Sequence, residues 1–394
     1  MMKETEAHKN SFDYIVIGAG LSGLSLVTAL KDYLISTGKK LLLIDRSFED
    51  YANRTWSFWE EHHGNFDFLC NTRWQKLRLY VDEKQIISPT NPFTYKSVSS
   101  EDFRSYCFNI IQSHPQITMH TDDVTDIMQS KAEDELIVIT KSCRFMTNYV
   151  FDSRFDPDML KHPNVNTLWQ QFQGYFVKTD FAAFDKEVAD IMDFRAEQKN
   201  HVAFFYTLPS ATNNALIEYT LFTPILQPPE YFERNLRQYL DQHIGRNHYE
   251  ITKTEEGKIP MTSYRFPKRK GNIIYLGTAA GCSKASTGYT FYFIQKQIGQ
   301  ILKHLKNETL DQYALSSTFD RFHFYDCILL RILKDQPEKG HRILFSMFQR
   351  NDAAQVFRFL NNDTSLLEEL KLFVKLPVFL FSLYALKELF GVKA

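Results

Sequence analysis

The chain has 394 residues, enough to bury a large core in one elaborate domain or in two to three lobes. A formal net charge of −1 with a pI near 6.9 excludes a nucleic-acid or polyanion binder that works by bulk charge. Aromatic content is 15%, with 34 Phe and 20 Tyr, which fits an aromatic core, an apolar tunnel or a face set against lipid.

The first ten residues, Met1 to Asn10, are polar and carry no apolar signal-peptide run. No stretch is apolar for long enough to span a bilayer, so a cytoplasmic chain without a spanning helix is expected. Cys70, Cys107, Cys143, Cys282 and Cys327 lack C-x-x-C spacing and read as reduced thiols, not as a disulfide frame or a zinc site. His62 and His63 are adjacent, so their side chains diverge, and no metal site is expected.

In chain order, the first signal is Tyr14-Ile15-Val16-Ile17 followed by Gly18-Ala19-Gly20-Leu21-Ser22-Gly23. An apolar helix pattern through Leu24, Leu26, Val27 and Leu30 comes next, and then Leu41-Leu42-Leu43-Ile44-Asp45. Strand, glycine turn, helix and strand ending in an acid is the dinucleotide-binding pattern. Gly18 permits the turn, Gly20 admits a pyrophosphate to the backbone, Gly23 lets helix meet strand, and Asp45 is placed for a ribose hydroxyl.

The block Arg54-Thr55-Trp56-Ser57-Phe58-Trp59 follows, either as core packing or as a contact to cofactor or apolar ligand. Alternation predicts strands over Leu77 to Val81 and Gln85 to Ser88, and Ser99 or Ser100 caps a predicted helix running to Ile111. Leu136 to Thr140 and Tyr149 to Phe151 read as strands, the second running into Asp152-Ser153-Arg154. Val202 to Leu208 and Leu216 to Thr223 flank turn-forming residues and predict an antiparallel hairpin, the wall of a ligand lobe. A helix from Pro228 to His243 precedes Glu255-Glu256-Gly257-Lys258-Ile259-Pro260-Met261, read as a return toward the first lobe. Asn272 to Leu276 is a buried strand that opens a second glycine turn, Gly277 to Gly281, and Ser286-Thr287-Gly288-Tyr289 opens a helix through Ile301.

From Tyr313 onward the pattern is helical and rich in Phe, from Phe319 to Phe390. Leu376 to Leu386 is apolar apart from Ser382 and is flanked by Lys371, Lys375 and Lys387. It reads as a buried core helix or as one that dips into a leaflet.

Two glycine turns after strands, one early and one late, favour FAD over NAD, because a flavin is held at both its pyrophosphate and its ribityl end. Glu218 is the acid in the strand Leu216 to Phe222, on one face with Leu216, Thr220 and Phe222. It is either a solvent-edge glutamate or, if that face lines a pocket, a carboxyl kept protonated by desolvation and able to act as a general acid.

These residues resemble the FAD-containing bacterial lycopene cyclases, which are similar to the plant β- and ε-cyclases. The likeness runs through Val16 to Gly23, Arg54 to Trp59, Val150 to Arg154, Leu216-Ile217-Glu218-Tyr219-Thr220, Glu255 to Met261 and Gly281 to Tyr289. It implies an α/β, two-lobed fold similar to the flavin hydroxylases: a Rossmann-like FAD-binding domain, an antiparallel-sheet substrate domain and a helical C-terminal region. It implies non-redox closure of the ψ end groups of lycopene or another linear carotene to β-rings, with reduced FAD required and NADPH as a candidate electron source. The family's acid falls on Glu218. Tyr219 stands where a second acid is common, leaving Glu218 without a carboxylate neighbour; Thr278 replaces a common Asp, and Lys284-Ala285 a common His-Pro.

The expected divisions are 11–75, 109–158 and 263–305 for FAD, 76–108 and 159–262 for substrate, and 306–394 for a helical, membrane-docking region. Cofactor contacts are expected from Gly18, Gly20, Leu21, Ser22, Gly23, Asp45, Arg46, Arg54, Thr55, Gly277, Gly281 and Gly288, and substrate contacts from Trp56 and Tyr289. The expected partners are a linear carotene and a membrane lipid surface, with no nucleic acid and no metal. The alternative is a flavin-dependent monooxygenase or isoprenoid reductase acting on an apolar substrate, or an isoprenoid-binding protein without turnover.

Overall fold

The structure, a computed structural model, describes residues 10–130, 135–315 and 320–390. The first elements are β1 (Ser11–Ile17), α1 (Leu21–Thr37), β2 (Leu41–Asp45), β3 (Thr55–Glu60), β4 (Thr72–Trp74), β5 (Lys76–Val81), β6 (Lys84–Pro89), β7 (Thr94–Ser99) and α2 (Ser100–Ser113). They lead to β8 (Ile117–Thr121), β9 (Val124–Gln129), β10 (Leu136–Thr140) and β11 (Arg144–Asp152). Next come β12 (Thr167–Thr179), β13 (Val188–Asp193), β14 (Val202–Ala211), β15 (Asn214–Thr223), α3 (Pro229–His243) and β16 (Tyr249–Thr262). The chain ends with β17 (Arg269–Lys270), β18 (Ile273–Tyr275) and α4 (Phe291–Lys306), then α5 (Arg321–Asp335), α6 (Pro337–Gln349), α7 (Ala353–Leu360), α8 (Leu366–Phe373) and α9 (Val378–Leu389). Phe319 lies outside the described residues.

The first lobe is built on a sheet ordered β8-β2-β1-β11-β18, parallel throughout, with β17 as an antiparallel edge and β9–β10 folded against β11. Ile15, Val16 and Ile17 are buried because helices or strands cover both faces of such a sheet, which is why β1 reads as an unbroken apolar run. The chain moves outward from β1 to β2 and β8, then crosses back to β11 on the other side of β1. The strand order therefore switches beside β1, and the crevice at its carboxyl end is where ligands bind in this architecture.

The second lobe is a sheet ordered β16-β12-β15-β14-β13-β5-β6, antiparallel except for β13–β5. The predicted hairpin is present as β14–β15, in register from Val202↔Phe222 to Leu208↔Leu216. Its faces follow the period of two: Ile217, Tyr219 and Leu221 pack with Phe232, Leu236 and Leu240 of α3. Leu216 and Phe222 lie opposite, with Phe322, Leu333, Phe345 and Phe357 of the C-terminal helices. A short sheet, β3-β7-β4, joins the lobes.

Two expectations need correction. Residues 254–261 are no simple return segment but part of β16, which pairs with β12 along its whole length. Its outer face is exposed, so the alternation carries little apolar signal. The division 76–108 is split: β5 and β6 join the second sheet, while Phe103 and Cys107 of α2 pack into the first lobe's core.

Candidate active site

The two glycine turns meet. A Cβ on Gly23 would lie 1.9 Å from the Gly18 carbonyl oxygen, so only glycine lets α1 press onto the turn. One on Gly277 would lie 2.7 Å from Ser22 Oγ, which places the late turn directly against the early one. A side chain at Gly20 would meet nothing within 4 Å, and no side chain caps α1. The first N–H groups of α1 thus face open space at the carboxyl end of β1, the arrangement that accepts an anion.

Asp45 closes this turn, its carboxylate accepting from Ala19 N at 2.5 Å and from Ser47 N at 3.1 Å. Arg46 is exposed, and Arg104 donates to the Ala19 carbonyl at 2.7 Å. At the late turn Gly281 packs by Phe266, and Gly288 approaches Gln170 of β12. Ser286 Oγ, Thr287 Oγ1 and Gln170 Oε1 are buried there without a hydrogen-bond partner among the described residues. Open helix N–H groups at one end and orphaned polar atoms at the other fit a long dinucleotide with a polar ring.

The second lobe brings an acid pair together. Cross-strand register aligns Tyr206, Glu218, Gly174 and Glu255 on β14, β15, β12 and β16. Gly174 is what permits the pair: a Cβ there would lie 2.9 Å from Glu218 Cγ and 3.2 Å from Glu255 Cγ. An isolated glycine within a strand marks such a close approach. The two side chains close over it from neighbouring strands, near enough for each carboxyl to feel the other.

Both are buried, at 7% and 4% exposure. Burial first, and then the charge and hydrogen bond of Glu255, push the Glu218 carboxyl well above the usual carboxylate range. Burial also raises Glu255, but hydrogen bonds from Glu218 and Thr55 and the charges of Lys253 and Arg54 oppose it. The expectation that Glu218 lacks a carboxylate neighbour is therefore overturned. Tyr219 points to the other face, against Phe205 and Phe232, and the second acid arrives from β16, two strands away.

The short sheet supplies the roof. Along β3, Thr55, Ser57 and Trp59 face the acid row: Thr55 Oγ1 donates to Glu255 Oε2 at 2.8 Å, and Ser57 lies beside Tyr206. Trp59 stacks on Phe357 with ring centroids 4.4 Å apart and meets Tyr289 edge-on at 4.5 Å. Tyr95 bonds the hydroxyls of both Tyr206 and Tyr289, the latter at 2.9 Å. Burial pushes Tyr289 up to about 12, so this phenol stays neutral. Tyr289 is thus brought to the acid layer.

Trp56 is not brought there, because alternation turns it to the opposite face, against Phe103 at 5.4 Å and Phe291 at 6.2 Å. Trp59 faces the acid row in its place, and Thr55 donates its hydroxyl to Glu255. A cavity of about 150 Å³ lined by Phe58, Glu60, Phe66 and Phe291 also lies on the Trp56 side of β3.

Lys284, which replaces the common His, has a defined consequence. Its Nζ is buried against Asp326 of α5 at 3.0 Å and Asn362 Oδ1 at 2.8 Å. Gly288 N donates to the Lys284 carbonyl at 2.8 Å, so the late turn is pinned to the C-terminal helices. Lys284→Met should strand the Asp326 charge and cost about 3–5 kcal/mol in urea unfolding. Adding Asp326→Leu should restore most of that loss; an undiminished loss in the double variant would refute the pairing.

A sequence model of the lycopene cyclase protein family matches residues 13–385. The chain belongs to the lycopene cyclase family. Among relatives of this family member, the chloroplastic neoxanthin synthase of Solanum lycopersicum is 22% identical over 303 residues, covering 73% of this chain and 59% of that protein. The chain therefore spans less than two thirds of that relative's length.

The lycopene cyclase family fold seen here recurs in solved structures. A geranylgeranyl bacteriochlorophyll reductase-like protein of Thermoplasma acidophilum superimposes with a TM-score of 0.67 at 12% identity, covering 95% of this chain and 98% of that one. The p-nitrophenol 4-monooxygenase of Pseudomonas putida gives 0.57 at 13%, covering 96% and 99%. A flavin-dependent brominase gives 0.57 at 12%, covering 89% and 93%. At such identities the likeness is one of fold, and it bears out the two-lobed, flavin-hydroxylase-like architecture expected from the sequence.

Proposed function

We propose that this lycopene cyclase family member closes the ψ end groups of lycopene, or of another linear carotene, into β-rings. The observation that carries the reading is Glu218, a buried carboxyl that burial pushes well above the usual carboxylate range, in a chain of that family. Glu218 gives its proton to C2 of the terminal C1=C2 bond, leaving a tertiary cation at C1. The C5=C6 π electrons then form the C1–C6 bond, the charge moves to C5, and loss of the C6 proton restores C5=C6.

A carbocation in a dry site is costly unless compensated. Aromatic ring faces turned to the site would each contribute about 0.5–2 kcal/mol of cation–π attraction. The cofactor is proposed to be FAD, held by Gly18, Gly20, Leu21, Ser22, Gly23 and Asp45 at the early turn and by Gly277, Gly281 and Gly288 at the late one. When reduced, with NADPH as electron source, it would add negative charge beside the cation without net electron transfer.

Carotenes reside in lipid, so the proposed enzyme works as a peripheral protein on a membrane surface, reached from the cytoplasm. No described helix is long and apolar enough to cross a membrane. Support for docking comes from α8 and α9, where Leu366, Leu367, Leu370, Val378, Phe379, Leu383, Leu386 and Leu389 are exposed, as is Val374 between them.

Expression in a lycopene-accumulating bacterium should turn red cells orange-yellow, with cyclic carotene on chromatography. Unchanged lycopene beside soluble, flavin-loaded protein would defeat the proposal. NADPH consumed stoichiometrically with product would favour a reductase or monooxygenase on the same fold.

A further inference from the structure

The hydrogen-bond inventory of the acid pair points to a division of labour. Glu255 Oε2 is filled by the Thr55 hydroxyl, while Glu255 Oε1 is buried with no donor among the described residues. Across Gly174 stands the Glu218 carboxyl, which can serve that oxygen only when it carries a proton. With both carboxyls ionised, two charges would lie side by side in a dry layer and Oε1 would stay orphaned. One proton on the pair removes both penalties.

We propose that Glu218 and Glu255 hold a single proton between them, with Glu255 as the ionised positioning residue that keeps that proton on Glu218. This deepens, and rests on, the reading of Glu218 as the acid. The surroundings set the asymmetry. Glu255 receives the Thr55 hydroxyl from β3 and feels Lys253 on its own strand and Arg54 ahead of β3. Glu218 faces Tyr206 and Tyr289, both neutral phenols. Cationic charge and an already donated hydroxyl thus gather at Glu255, while Glu218 faces neutral phenols, so the negative charge stays on Glu255.

The arrangement also closes the proton balance. Once Glu218 has protonated the carotene, two carboxylates face each other beside a cation, which attracts the cation and raises the pair's affinity for the next proton. The C6 proton released on ring formation matches what the pair has lost, so a turnover ends with the pair charged as it began.

The test is the infrared titration of the purified full chain, with Glu218→Gln identifying the protonated-carboxyl band. The wild type should show that band at neutral pH. Glu255→Gln removes the like charge, so the band should vanish at lower pH than in the wild type, and the alkaline limb of cyclisation should move the same way. At the alkaline end the variant should lose about tenfold more rate than at neutral pH, the effect of a one-unit displacement.

If Glu255→Gln does not fold, Thr55→Val serves instead. It weakens the ionised form of Glu255, so the pair should release its first proton at higher pH. Absence of the band at neutral pH, or a band unmoved by either variant, overturns the proposal. Failure of the wild type to cyclise lycopene would sink the functional reading instead, while the infrared titration would still decide the pair.

Discussion

Glu218→Gln is expected to lower ring formation by about 10²–10⁴-fold, the usual contribution of a positioned general acid. The substitution keeps the shape of the side chain and its place on β15, between Tyr206 and Gly174. Its amide can donate to the orphaned Glu255 Oε1, so the partner carboxylate stays satisfied. Folding should therefore hold, with an unfolding midpoint close to that of the wild type. Flavin content should also be unchanged, because the proposed cofactor contacts lie at the glycine turns in the first lobe. Chromatography of carotenes from cells expressing the variant is the measurement. Cyclic product at the wild-type level would remove Glu218 from the chemistry.

Glu218 was legible in the sequence because a lone acid in an apolar alternating strand defines its own face; Leu216 and Phe222 share that face and Tyr219 does not. The glycine turns were legible for a similar reason, since each lies between a local strand and a local helix. Glu255 was missed because its partnership depends on register across β12, and no local pattern encodes which residue of one strand faces another. Two signals existed: the glycine at 174 inside a strand, and the paired acids Glu255-Glu256 before Gly257. Trp56 and Trp59 differ by an odd number of positions, so period two puts them on opposite faces, but only the positions of Glu255 and Phe291 show which face matters. The buried Lys284 was visible as a departure, yet its partner Asp326 lies on a separate helix.

The proposed membrane docking should respond most to the outer face of α8 and α9. The inner face of α9 is fixed: Tyr384 is buried against Ile328, Ile332 and Ile343, with Leu380 and Phe381 packed beside it. Deleting the segment from Leu376 onward would therefore strip the core as well as the surface, and would confound folding with binding. Point changes avoid that, because Leu367 is 72% and Phe379 is 85% exposed. Burying a Leu or Phe is worth about 1.5–3 kcal/mol, so Leu367→Asp with Phe379→Asp forfeits about 3–6 kcal/mol at a lipid surface and nothing comparable in the core. Partition into vesicles of phosphatidylcholine with phosphatidylglycerol should fall by about 10²–10⁴-fold in flotation, with the unfolding midpoint unmoved. Lys371, Lys375 and Lys387 flank the apolar run Leu376 to Leu386 in sequence, so binding should also weaken when phosphatidylglycerol is omitted or salt is raised. Undiminished flotation of the double variant would place the docking surface elsewhere. Lost flotation with intact folding would tie α8 and α9 to the bilayer, and cyclisation of membrane-dissolved carotene should fall in parallel.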